Sequence, residues 1–220
     1  MDKLIIDCST GARKGQLVDQ LLGLADAEQK AALVDAMGAV AISGLTVEAA
    51  DGHLDIRVNG HTESQARHEH AHAHEHGGHH HHEHRSVADV HAIVEASSLP
   101  ADVVANVMGV YDVLAHAEAK AHETDVEGVH FHEVGNDFAI ASIIAFCVLL
   151  HAISPTQIVA TPIATGFGYV DCAHGRLPIP APATANILEG MPHYAGDVEG
   201  ELCTPTGAAM VKHFAQAFEE

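Results

Sequence analysis

Positive charge is scarce in this 220-residue chain: ten Lys and Arg stand against thirty Asp and Glu, a formal net charge of −20 with histidine neutral. Nucleic acid and anionic membrane are therefore excluded as partners, because both are bound through clustered cations. Paired cysteines are missing as well. Cys8, Cys147, Cys172 and Cys203 are far apart and form no C-x-x-C, which argues against a zinc-ribbon knuckle or a thioredoxin-like redox site and fits reduced thiols in a cytoplasmic protein. The longest apolar run, "FAIASIIAFCVLLHAI" (138–153), is shorter than the roughly 20 residues of a membrane span and includes Ser142 and His151, so it reads as a buried helix. The apolar start of "MDKLIIDCSTG" is too short for a signal-peptide core. There is no internal repeat and no G-x-x-x-x-G-K-[ST] nucleotide loop.

What the chain has in excess is histidine, 21 residues, ten of them within the seventeen positions "HEHAHAHEHGGHHHHEH" (68–84). His68, His70, His72, His74, His76, His79, His80, His81, His82 and His84 are spaced so that several imidazoles can reach one ion from an unstructured chain, and imidazole suits nickel, copper and zinc alike. Two readings are open: a loading tract for metal, or a solvated acidic linker with incidental affinity. Metal cations are in either case the partners that the charge balance favours.

The periodicity predicts an α/β fold, a mixed sheet with flanking helices and one long His-rich loop. A strand at 3–7 is followed by helices at 17–24 and 27–37 and by a hairpin over 44–60 turning at Asp51-Gly52. Residues 61–85 lack apolar periodicity and read as a mobile loop between an N-terminal α/β part (1–60) and the remainder of the same domain (86–220). Beyond it, Ser86 and Asp89 form a capping-box start for a helix at 87–96, and a longer helix covers 101–122. A strand at 129–134, the buried helix at 138–152 and a bent strand at 156–170 come next. A Pro-rich loop at 174–184 leads into a helix at 183–189, and an amphipathic helix closes the chain at 204–218.

Three segments carry candidate chemistry. If "HFHEVG" (130–135) is a strand, His130 and His132 project from one face as half a metal site and Glu133 from the other; the alternative is a pair of hydrogen-bonded core histidines. "DCAHGRLPIPAPAT" (171–184) holds Cys172, His174 and Arg176 within five residues. Cys172 is a candidate ligand or nucleophile or else a small buried hydrophobe, and Arg176 is a candidate clamp for phosphate or carboxylate. "TPTGAA" (204–209) offers the Thr204 and Thr206 hydroxyls and free N–H groups at a helix start, a ready anion site. Asp7, at a strand end before a Gly-containing turn, occupies a common ligand position in α/β sheets.

In order along the chain, "DCSTG", the His-rich insertion, "VHFHEVG", "GYVDCAHGRLPIPAPAT" and "GELCTPTGAA" resemble the N-terminal region of the LarC family of nickel insertion proteins. The resemblance implies a nickel insertase of the lyase type that places Ni(2+) between two thiocarboxylates and a pyridinium carbon of pyridinium-3,5-bisthiocarboxylic acid mononucleotide. The product would be the nickel-pincer cofactor of lactate racemase. It further implies His130, His132 and His174 as nickel donors, Glu133 or His174 as base, and Asp7, Cys172, Arg176, Thr204 and Thr206 against the substrate. CTP, with Mn(2+) or Mg(2+), is expected on a C-terminal domain that would be a separate polypeptide; whether the chain forms a homo-oligomer is left open. Two departures stand out. Relatives typically read "SGISGDM" where this chain has "STGARKGQ", which removes an acidic residue near Gly15, and Phe138 and Ser142 occupy two aspartate positions, with Asp137 as a neighbouring stand-in. They keep a second reading in view, a non-catalytic His-rich nickel chaperone or store on the same fold.

Overall fold

Most helices begin where the sequence supplies a cap or a break. The computed structural model describes residues 1–66, 85–172 and 175–219. Asp26 with Gln29 and Ser86 with Asp89 close reciprocal capping boxes on α2 (Ala27–Gly38) and α3 (Val87–Ala96), following α1 (Lys14–Leu24). Pro100 precedes α4 (Ala101–Ala121), and Asn136 caps α5 (Asp137–Ile153). Pro182 opens α6 (Pro182–Leu188), and Thr204 caps α7 (Pro205–Phe214). α1 is different: Arg13 stands at its N-cap and no side chain caps it.

The α/β class holds, with the mixed pairing spread over several small sheets. Lys3–Ile6 and Ala217–Phe218 flank Gln157–Ala160 in a three-stranded parallel sheet. Leu45–Ala50 and His53–Val58 form the predicted hairpin, turning through Asp51 and Gly52 at φ 51° and 75° as a tight two-residue turn requires. The remaining pairs are antiparallel for Arg85–Ser86 with His130–Phe131, Tyr169–Cys172 with Gly175–Pro178 and Gly166–Phe167 with Gly200–Glu201, and parallel for Ile163–Ala164 with His193–Tyr194.

α5 is apolar all round and accordingly buried, with α1, α2 and α4 packed around it. Side chains from both sides of the His-rich insertion, Leu4 through Val58 and Val90 through Val211, join one apolar cluster. Among the described residues no helix is long and apolar enough to cross a membrane.

The first helix starts three residues earlier than expected, at Lys14, and three later boundaries differ in kind from the sequence-based expectation. The strand expected at 129–134 stops at Phe131: the Tyr111 hydroxyl donates to the Val134 carbonyl (3.1 Å), Arg85 donates to the Gly135 carbonyl (2.9 Å), and the chain bends to reach both. The first part of the Pro-rich loop is a strand, because Gly175–Pro178 folds back onto Tyr169–Cys172. The last helix ends at Phe214, and Ala217–Phe218 gains ladder bonds at the edge of the parallel sheet instead. The bent strand is broken as expected: Gly166 has φ 76°, and a Cβ there would lie 1.8 Å from the Gly200 carbonyl oxygen.

Candidate functional site

Two sequence motifs far apart in the chain interlock to make one wall of a cleft. The Ala12 N–H donates to the Leu202 carbonyl (2.9 Å) and the Thr204 N–H to the Ala12 carbonyl (3.1 Å), a parallel bridge between the loop after the first strand and the segment before α7. The approach is close enough to demand glycine. A Cβ on Gly207 would sit 2.0 Å from the Ala12 oxygen, and one on Gly11, at φ 120°, 2.3 Å from the Leu202 oxygen. The N-termini of α1 and α7 thereby lie beside each other. Thr10, Arg13, Lys14, Gln16, Thr204 and Thr206 line the cleft from this side, with Lys14 held 2.8 Å from Glu63. Cys8 and Cys203 lie buried behind the wall, where burial pushes both thiols up to about 12, so neither supplies a thiolate.

The other group of lining residues comes from the end of α4 and the bend after Phe131. Glu118 and His122, one helical turn apart, approach to 3.6 Å, and the His122 and His132 ring centroids are 6.3 Å apart. The Glu118 side chain is only 15% exposed. Burial pushes its carboxyl above the usual range; His122 opposes the shift and Glu133 adds to it. Glu133 is exposed at the rim, and Asp171 and Cys172 come from the neighbouring hairpin, whose Cys172 thiol donates to the Gly175 carbonyl (3.4 Å). The cleft encloses about 1340 Å³, enough for a nucleotide-sized ligand.

Of the residues singled out from the sequence, His132, Glu133, Cys172, Thr204 and Thr206 line this cleft together. His130 does not: it is exposed, its backbone pairs with Ser86, and the bend after Phe131 breaks the alternation that would have aligned it with His132. Asp7 is engaged in its own loop. Its carboxylate accepts the Ser9 N–H (2.9 Å) and the Thr161 hydroxyl (3.4 Å), and the Ser9 hydrogen bonds hold it below the usual range. Arg176 lies exposed with its guanidinium carbon 4.7 Å from the Tyr169 ring centroid and is not part of the lining. His174 and the ten histidines of the tract lie outside the described residues. Among the described residues no three His, Cys, Asp or Glu side chains are arranged to hold a metal ion.

Arg13, Lys14, Glu118 and His122 were missed by sequence reasoning. Two of the ten cations standing together at a helix start, and an E-x-x-x-H spacing inside a predicted helix, were the available signals. Phe138 and Ser142 do face the cleft, whereas Asp137 is bound to Arg85 (2.7 Å), stays off the lining and does not stand in for either.

The description "nickel insertion protein" belongs to the family model that matches residues 4–220. The chain belongs to the nickel insertion protein family. Membership agrees with the resemblance read from the five motifs. Relatives named pyridinium-3,5-bisthiocarboxylic acid mononucleotide nickel insertion protein match in Desulfitobacterium hafniense strain DCB-2 (46% identity) and Staphylococcus saprophyticus (46%). The matches cover 61% and 60% of this chain and 33% and 34% of the relatives, so the chain spans about a third of the length of these members of the family. No solved structure matches the chain.

Proposed function

We propose that this chain receives pyridinium-3,5-bisthiocarboxylic acid mononucleotide in the cleft and takes part in placing Ni(2+) into it. The observation that carries the reading is the pairing of two unlike sets of groups around one cleft. Paired helix N-termini with Arg13, Lys14, Thr204 and Thr206 suit a phosphate, and an imidazole–carboxylate group suits a cationic ring and a divalent ion.

In this reading the His-rich tract raises the local nickel concentration and His132, with His174 as a further donor, passes the ion inward. Imidazole holds nickel well enough to deliver it, and the thiocarboxylate sulfurs then displace it. As the Ni–C bond forms, the ring C–H bond breaks, its electron pair becomes the new bond, and the proton passes to a base, a role this reading gives to Glu133 on the cleft lining. CTP hydrolysis with Mn(2+) or Mg(2+) is assigned to the family's C-terminal domain. The nickel-pincer product is assigned to lactate racemase, and the reaction to the lyase-type insertases of the cytoplasm.

The test is nickel insertion into the mononucleotide, followed by absorbance and mass, with CTP, Mg(2+) and the family's C-terminal domain present. His132→Ala is expected to lose most product and His130→Ala to keep it; equal activity of His132→Ala and the parent overturns the delivery role. The carrier reading, a chaperone or store, is favoured by Phe138 and Ser142 on the cleft lining, at positions where the resemblance expects carboxylates. It predicts bound nickel that is never inserted.

A further inference from the structure

Glu118 and His122 belong to none of the motifs that mark the family resemblance, yet both line the cleft at the C-terminal end of α4, Glu118 from its last turn and His122 as its C-cap. Side chains four apart on a helix are neighbours, and the rigid backbone lowers the entropy cost of holding both on one ligand. Their nearest atoms, Glu118 Oε2 and His122 Nε2, are 3.6 Å apart, beyond hydrogen-bond length. An ion bonded to both at about 2.0–2.2 Å would draw them to roughly 3 Å, a small rotamer adjustment. The environment favours a cation: the Glu118 carboxylate is largely withdrawn from water, and Glu133 and Asp171 add negative charge to the same cleft. Beside the pair, the His132 ring lies 6.3 Å from the His122 ring, centroid to centroid, close enough to pass an ion across.

We propose that Glu118 and His122 form a two-point chelate for a divalent transition-metal ion on the cleft wall, with its remaining coordination positions open. Two protein donors hold the ion without enclosing it, as release to an incoming ligand requires. The assignment of nickel as the ion, and of the mononucleotide sulfurs as the acceptors, rests on the insertion reading above; the chelate itself does not.

The experiment is calorimetric Ni(II) titration, without mononucleotide, of the chain with residues 67–84 replaced by a Gly/Ser linker of equal length, in parent, Glu118→Gln and His122→Ala forms. Far-UV circular dichroism checks that each is folded. The expected result is one bound ion in the parent and an affinity about tenfold or more weaker in each variant. An ion-free parent, or unchanged affinity in both variants, overturns the chelate. Adding mononucleotide afterwards scores the insertion reading separately. Nickel bound through Glu118 and His122 but never transferred leaves the chelate standing and removes insertion; nickel affinity unchanged in both variants with transfer intact does the reverse.

Discussion

The two groups of cleft-lining residues are held in different ways. The loop 8–13 and the segment 202–207 are joined by backbone hydrogen bonds, with glycine at the closest approaches and buried thiols behind. The end of α4 and the bend at 132–134 meet through side chains: a largely buried carboxylate, two imidazoles and a rim glutamate, with no ladder between them among the described residues. The proposed function, which asks one site to recognise one ligand and release another, calls for both kinds of support. Fixed N–H groups recognise a phosphate best when their geometry is preorganised, whereas donors that take up and hand on a metal ion work through rotamers that can change.

Substitutions test that contrast, beginning with the backbone side. Gly207→Ala forces a Cβ into the Ala12 carbonyl and is expected to cost about 3 kcal/mol of stability in denaturant unfolding. A loss near zero would mean that the interlock yields easily and is no more rigid than its counterpart. His132→Ala is expected to lower insertion about tenfold or more while leaving the unfolding midpoint near the parent, since His132 is half-buried and sits in a bend. A large stability loss there would reverse the assignment of rigid and adaptable sides. Thr204→Ala removes the α7 cap, whose hydroxyl accepts the Gly207 N–H at 3.4 Å, and is expected to cost about 1 kcal/mol together with weaker mononucleotide binding.

The smallest effect is the pH dependence of Glu118. Because its folded-state carboxyl is raised, the folded chain binds its proton more tightly than the unfolded one. The associated stability is present below the ordinary glutamate value and is lost as pH rises through the raised one. Glu118→Gln stays neutral throughout, so its Tm is expected to exceed the parent's at pH 7 by less than about 4 °C and to converge with it near pH 4. A gap that grows on acidification would show that Glu118 is stabilised as a carboxylate.

Legibility followed the range of the interactions. The Ser86/Asp89 capping box placed a helix start to the residue, and Asp51-Gly52 placed a hairpin turn, because both signals act within four residues. The "HFHEVG" strand ended after Phe131, since contacts from Tyr111 and Arg85, distant in sequence, redirect the chain. Thr204 and Thr206 were read as a candidate anion site from local pattern alone, but Arg13 and Lys14 joined them on one cleft only when Ala12 bonded to Leu202 and Thr204.

By itself, then, the sequence determined the order of the helices, the Ser86/Asp89 cap, the family motifs and the acidic, histidine-rich character that favours metal cations, all properties of neighbouring residues or of composition. The tertiary structure alone decided that His132 and not His130 lines the cleft, that Asp137 is taken by Arg85, and that Glu118 and His122 join the site. Those outcomes depend on which distant segments compete for the same hydrogen bonds and the same space, and no local period encodes that competition.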